Sequence, residues 1–284
     1  MGFYAANRRA ASTLAVILIV VVMIATLSFL VGAALFLRPS IPLTGTGEVA
    51  GSGRAETREL QFKDFTAVHI GSAFQSRITY SDSYRVSVTM DDNLFDYLQV
   101  TKEGDVLAIG LKSGYEYHYS SLTLSAEIQL PDLRELQSGG ATRNTIQGFN
   151  FSHEFVLRLS GASTTETTDM SVGDVEIEIS GASTLSGKIT ANGDAQFTLS
   201  GASTATVGGK ANNLFISVSG ASNTELSNFI VHNAKVNLSG ASQATINLDG
   251  RLDAELSGAS RLVYLGNPTL GDISVTGGST ITKK

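Results

Sequence analysis

Residues 197–207 read Phe-Thr-Leu-Ser-Gly-Ala-Ser-Thr-Ala-Thr-Val, and the tetrad at their centre, Ser200-Gly201-Ala202-Ser203, decides the fold because it comes back. The same four residues begin at Ser160, Ser180, Ser219, Ser239 and Ser257, with looser copies at Ser138 (SGGA) and Thr276 (TGGS), so the repeat is 18 to 22 residues long. Outward from the tetrad, the residues one and three places before it are apolar: Leu157 and Leu159, Ile177 and Ile179, Phe197 and Leu199, Ile216 and Val218, Val236 and Leu238, Ile273 and Val275. Those two and four places before it are mostly polar. This alternation has the period of a strand with one buried face. Six or seven places before most tetrads, Gly173-Asp174, Gly193-Asp194, Asn212-Asn213, His232-Asn233 and Gly250-Arg251 supply a second turn.

A strand with turns every 20 residues or so describes one coil of a β-solenoid, in which each coil pairs with the next about 4.8 Å away. The expected class is therefore all-β. Leucine-rich repeats share the period but need a dense Leu pattern, and propeller blades need about twice the length. Gly161, Gly181, Gly201, Gly220, Gly240 and Gly258 are expected to take the positive φ of a tight corner. The neighbouring Ala is expected to point into that crowded corner, and the stacked serines to hydrogen-bond along the ladder. Residues 138–284 thus form the regular SGAS-repeat solenoid. Residues 57–137 alternate in the same way without the clean tetrad, with a degenerate corner at Gly71-Ser72-Ala73-Phe74, and read as atypical coils that cap the stack.

Before the body, residues 14–37 run for about 24 positions without a charge, between Arg8-Arg9 and Arg38, which at 1.5 Å per residue crosses a bilayer core of about 30 Å. This predicts one transmembrane α-helix after a short tail, residues 1–13, and a partnership with the lipid bilayer. A cleaved signal would have a shorter apolar region and a small-residue cleavage site, where Arg38 and Pro39 stand instead. The positive flank places the N-terminus in the cytoplasm and the body outside the cell membrane. Residues 38–56, with two prolines and several glycines, read as a flexible linker. The body is lightly charged: Asp, Glu, Lys and Arg make up 16% of the chain and the net charge is −6. That balance excludes the basic footprint of a nucleic-acid binder. The absence of cysteine excludes a disulfide framework, a thiolate metal site and a cysteine nucleophile.

The order of motifs ETREL, FTAVHIGSAF, ITYSDSYRVSVTMDDNLFDYLQV and LAIGLKSG followed by iterated SGAS resembles the auto-transporter adhesin family with the head GIN domain, over about residues 57–282. The resemblance implies a right-handed parallel β-helix displayed at a prokaryotic cell surface, and it carries no catalytic residues. The uncut apolar run departs from a secreted adhesin.

Counting register along the repeat places Arg158, Glu178, Thr198, Ser217, Asn237, Glu255 and Ser274 in one outward column, and Val156, Glu176, Gln196, Phe215, Lys235, Asp253 and Asp272 in another. Glu176 with Glu178, and Asp253 with Glu255, are about 6.6 Å apart if two positions separate them on a strand, a spacing compatible with a glycosidase pair. Arg158 beside Glu178 and Lys235 beside Asp253 mark instead a charge-balanced solvated face, and no catalytic residue and no cofactor are expected. Asp253, Glu255 and Asp272 form a candidate site for a hard cation such as Ca²⁺, with Lys235 the rival source of neutralisation. Tyr115, Tyr117 and Tyr119 would share one side of a strand, as an exposed ligand strip or, the favoured reading, as a buried seal on the first coil. His69, His118, His153 and His232 show no metal-ligand spacing. Asn150 and Asn237 open glycosylation sequons. Lys283 and Lys284 at the terminal edge oppose end-to-end pairing, so the body is expected to be monomeric. These features predict an adhesin-like binding or display module with an unnamed glycan or protein ligand. The alternatives are a polysaccharide-active β-helix enzyme and a passive structural or sensory stalk.

Overall fold

The apolar positions before each tetrad stack into continuous inward columns. Leu157, Ile177, Phe197, Ile216 and Val236 lie in register on successive strands, as do Leu159, Ile179, Leu199, Val218 and Leu238, and all are buried. The computed structural model describes residues 47–119 and 122–284. The transmembrane segment expected at residues 14–37 lies outside the described residues, and no helix among them is long and apolar enough to cross a membrane. All the strands among the described residues belong to the unit Glu48–Lys284.

Each regular coil contributes one strand to each of two parallel sheets, as Val175–Ile179 does to the first and Thr184–Ala191 to the second. The second-sheet strands are longer because they bend. In Thr164–Val172 two consecutive residues, Thr168 and Asp169, face outward before Met170 returns to the core, and the pairing register shifts at the same point. A single skipped alternation turns the chain without ending the ladder. The second turn is held by a chain of side-chain amides and carboxylates. Asp174 Oδ1 accepts from the N–H of Asp194, Asp194 Oδ1 from Asn213 Nδ2, and Asn213 Oδ1 from Asn233 Nδ2.

The SGAS corner differs from expectation in one respect. Its glycines do take positive φ, between 72° and 78° from Gly161 to Gly258. They also stack: a Cβ on Gly201 would stand 2.5 Å from the Gly181 carbonyl oxygen. The Ala that follows, however, is exposed, and the second Ser faces inward, so Ser163, Ser183, Ser203, Ser222, Ser242 and Ser260 are all buried. The left-handed glycine reverses the facing of the chain, and the inward position then lies against corner backbone that needs partners. Ser203 Oγ donates to the Ser200 carbonyl at 2.6 Å, and Ser222 Oγ accepts from the Ser203 N–H at 3.3 Å.

The atypical segment does not stack in chain order. Strands Ala67–Ile70 and Gln75–Tyr80, joined by the corner at residues 71–74, form a regular coil that pairs directly with Glu135–Ser138 and Arg143–Gln147. There Phe74, buried, takes the inward place of the serine. Val106–Leu111 and Leu124–Leu130 then stack on the far side of that coil, although they come later in the sequence. Antiparallel strands Leu98–Glu103, Arg85–Asp91 and Ala55–Leu60 close this end.

The linker expected through residue 56 is shorter. Glu48–Val49 already pairs in parallel with Glu116–Tyr117, and the buried carboxylate of Asp91 accepts from the N–H groups of Gly53 and Thr123. Backbone donors that find fixed acceptors in the body cannot belong to a free spacer. At the other end Thr269–Val275 and Thr280–Lys283 are edge strands, Leu270 and Val275 are exposed, and Lys283 Nζ donates to Asn267 Oδ1.

Gly201→Ala should therefore destabilise the body by about 2 kcal/mol or more, from the positive φ and the carbonyl contact together. Ala202→Leu, at an exposed position, should stay within about 0.5 kcal/mol of the parent. Denaturant midpoints of the two variants check the assignment, and a larger loss for Ala202→Leu would reverse it.

Candidate functional site

The outward columns counted from the sequence are realised in the ladder, except that the second breaks between Asp253 and Asp272. Arg158 pairs with Glu178, Glu178 with Thr198, Thr198 with Ser217, Ser217 with Asn237, and Asn237 with Glu255. The first sheet thus presents a flat face of short polar side chains repeated at the coil spacing. Chemical variety on this face is concentrated in two places.

The first is a half-buried charge network near the cap. The Arg158 guanidinium meets Glu178 at 3.0 Å and Glu135 at 3.2 Å, and Glu135 in turn lies 3.4 Å from His69 Nε2. The adjacent His69 imidazole, joined by Arg158 and opposed by burial, holds the Glu135 carboxyl below its ordinary range. Burial and the neighbouring Glu178 push Glu176 up, against the pull of Arg158. Two carboxylates with opposed shifts can divide acid and base roles in a catalytic site. Here Val156 separates them in the ladder, and Arg158 pairs with Glu135 and Glu178 and only lies near Glu176, an arrangement expected of charge balance.

The second place is a shallow groove of about 270 Å³ further along the same face. Its wall carries the ring of Phe215, 43% exposed, in register with Lys235 on the next coil. Asn213 and Asn233 line one side, and Arg251 and Asp253 the far end. The polar ladder therefore holds one exposed aromatic platform flanked by amides and cations. Register counting places Phe215 in a mostly polar column, and that exception is the signal of the groove.

The acidic cluster at the end of the column is arranged differently from expectation. Arg251 lies 2.7 Å from Asp253 and 3.5 Å from Asp272, and the Asp272 N–H donates to Asp253 Oδ1. Those hydrogen bonds from Arg251 and Asp272 hold Asp253 below the usual carboxylate range. Arg251, and not Lys235, is thus the main neutralising partner. Asp253 and Asp272 are not ladder neighbours, because the register shifts between Leu252 and Ala254, while Glu255 pairs with Ser274. Among the described residues no three ligand-type side chains gather around a common point. Each histidine lies beside a carboxylate: His69 by Glu135, His118 by Glu48, His153 by Asp132 and His232 by Asp249.

The tyrosines occupy the cap. Tyr115 and Tyr119 are exposed and Tyr117 is half-buried, because the two-residue strand Glu116–Tyr117 pairs with Glu48–Val49 alone among the described residues, at the margin of the body. The expectation that all three seal the first coil gives way to a surface cluster. Burial, with the adjacent Tyr119, Tyr115 and Tyr97 phenols, pushes the Tyr117 hydroxyl up to about 12. Tyr97, delivered by the short 3-10 turn Asp92–Tyr97, completes the cluster, and no repeat in the sequence announces it.

The described residues thus form a solenoid of parallel coils with a polar outer face. The chain is a member of the family described as putative auto-transporter adhesin, head GIN domain, whose model matches residues 64–268. Its fold is shared with the crystal structure of a putative adhesin from Parabacteroides merdae, at 17% identity and a TM-score of 0.76, covering 84% of this chain and 99% of that one. A putative adhesin from Parabacteroides distasonis is similar at 18% identity and a TM-score of 0.72, covering 84% and 100%. A putative lipid binding protein from the same organism is similar at 21% identity and a TM-score of 0.62, again covering 84% and 100%. No curated protein matches the sequence.

The opposed carboxylates give opposed pH signatures. A raised native value means that the charged form of Glu176 costs stability at neutral pH, a cost relieved as pH falls through that value; a lowered one means that Glu135 stabilises at neutral pH and loses this as pH falls through its own. Glu176→Gln should therefore raise the thermal midpoint at neutral pH and Glu135→Gln should lower it. Both differences should shrink in acid. Scanning calorimetry at neutral and acid pH checks the signs.

Proposed function

We propose that the protein is a membrane-anchored cell-surface binding module, and that its ligand is an extended polar glycan laid along the first sheet across the groove at Phe215. The observation that carries the reading is the exposed Phe215 ring set within a register of short polar side chains. A sugar ring offers an apolar face for an aromatic platform, and Lys235, with the amide capacity that Asn213 and Asn233 retain beyond their ladder hydrogen bonds, supplies hydrogen-bonding groups to its hydroxyls. A flat, periodic face suits a periodic polymer better than a compact small molecule, which needs a deep enclosure. Binding without turnover is the reading supported by carboxylates tied to arginine on an open face. The fold is proposed to be right-handed, as almost all parallel crossover connections are.

The anchor is the uncharged run at residues 14–37, with the N-terminus cytoplasmic and the β-helix outside. Full-length protein should stay in the membrane pellet through alkaline carbonate, and protease added to intact cells should degrade the body. A soluble mature chain beginning after residue 37 would overturn the anchor, and a protected body would reverse the topology.

The ligand reading is tested by screening the protein on a glycan array and titrating the hits calorimetrically. Phe215→Ala should weaken binding by at least about tenfold, as loss of a central aromatic anchor does, without moving the denaturation midpoint. Retained affinity in that variant removes the groove from the binding site.

A further inference from the structure

The chain enters the body at Glu48 and Val49, which pair in parallel with Glu116 and Tyr117. Around that short ladder four tyrosine rings touch. Tyr97 meets Tyr115 edge-on at 4.9 Å and Tyr117 at 6.2 Å, and Tyr117 meets Tyr115 at 6.2 Å and Tyr119 at 6.0 Å. Of the nearby charges, Lys112 Nζ donates to the Asp96 carbonyl and His118 lies against Glu48, while the exposed Glu116 alternates with the tyrosines along the strand. The Tyr117 hydroxyl donates to the Lys112 carbonyl. What faces outward is a contiguous set of rings with apolar bodies and polar tips. That is the side-chain chemistry enriched at the boundary between lipid and water.

Chain length adds a second observation. Ten residues, 38–47, separate the end of the apolar run from the first ladder residue, and fully extended they reach at most about 35 Å. A body held by that run cannot drift far from the bilayer, and the tether joins it beside the tyrosines.

We propose that Tyr97, Tyr115, Tyr117 and Tyr119 form a lipid-contact surface that seats the cap end of the body in the headgroup layer of the bilayer that anchors it. The inference rests on the anchor reading above. The partner is the interface of a zwitterionic membrane, since the strip offers rings and hydroxyls and no cluster of basic side chains. One consequence is a fixed stance. The strand carrying Phe215 lies six ladder steps from Val106–Leu111 in the first sheet, roughly 30 Å at the usual strand spacing, so the groove is held clear of the lipid.

The chain contains no tryptophan, so a single introduced one reports its own surroundings. Full-length Tyr115→Trp is reconstituted in phosphatidylcholine vesicles, plain or brominated on the acyl chains near the headgroup. The introduced indole should lose about half or more of its emission in the brominated vesicles, as a side chain at interface depth does. Leu270→Trp, on the exposed last strand of the first sheet, should lose none. Chain that floats with the vesicles while the Tyr115→Trp variant emits equally in both lipids overturns the strip and leaves the anchor standing. A response of that variant to soluble glycan or to protein concentration in place of lipid assigns the strip to another occupant and overturns it equally. If the full-length chain does not float, the anchor reading fails, and the body decides the strip alone. All the strands among the described residues lie within Glu48–Lys284, and two similar solved chains are covered to 99% and 100% by 84% of this chain, so the body is expected to fold by itself. The Tyr115→Trp body is then titrated with brominated vesicles to millimolar lipid. Saturable quenching sustains the lipid surface, and its absence refutes it.

Discussion

The structure depends on a glycine stacked on a glycine. At each SGAS corner the backbone takes a left-handed turn, and the N–H of the following residue donates to the carbonyl of the glycine one coil earlier, at 2.7 Å from Ala182 to Gly161 and 2.8 Å from Ala202 to Gly181. A side chain at that position would both oppose the φ and occupy the space of the neighbouring carbonyl. With the corner fixed, the strands on either side have no freedom of register. A slip of one residue would turn every inward Leu, Ile and Phe to solvent. The buried serine beside the glycine satisfies the remaining corner groups, which would each cost about 1–3 kcal/mol if left unpaired.

A fixed register makes the surface as regular as the core. The outward columns of Thr, Ser and Asn follow from the same stacking that aligns Leu157 with Ile177, so the polar face is a by-product of packing until something interrupts it. Phe215 interrupts it with exposed apolar area, and the Arg158 network interrupts it with half-buried charge. The two differ in what they offer a ligand. The charges near Arg158 are spent on one another, whereas the Phe215 ring has solvent on its outer side.

The ends of the stack obey a different rule from its middle. A solenoid leaves unpaired strand edges and an open core wherever repetition stops. At the cap the chain answers this by running back over its own first coil and closing with antiparallel strands, so that Met90, Leu94 and Leu107 complete the core. At the opposite end Leu270 and Val275 occupy positions that are inward in earlier coils, yet they remain exposed. The tyrosine cluster belongs to the elaborated end, where local sequence is released from the repeat and can carry a separate role.

The sequence by itself determined the coil length, the strand alternation, the positive-φ glycines and the membership of both outward columns, save the last step from Asp253 to Asp272. All of these are one-dimensional: period two fixes facing, and a constant repeat fixes which residues stack. It also marked Gly71-Ser72-Ala73-Phe74 as a corner, because the spacing to flanking apolar residues survives there. What only the tertiary structure decided are the places where a side chain or strand finds a partner outside the repeat. Facing beyond a left-handed glycine does not continue the strand alternation, so the exchange of Ala202 for Ser203 at the inward position was invisible. The order of coils at the cap depends on antiparallel pairings between residues 26 to 44 positions apart, which no local pattern specifies. The bonding of Arg251 to Asp253 and Asp272, and the exposure of Tyr115 and Tyr119, depend on which side chains reach and what layer covers them. Those are properties of three-dimensional proximity, and they are where the candidate binding surfaces of this protein lie.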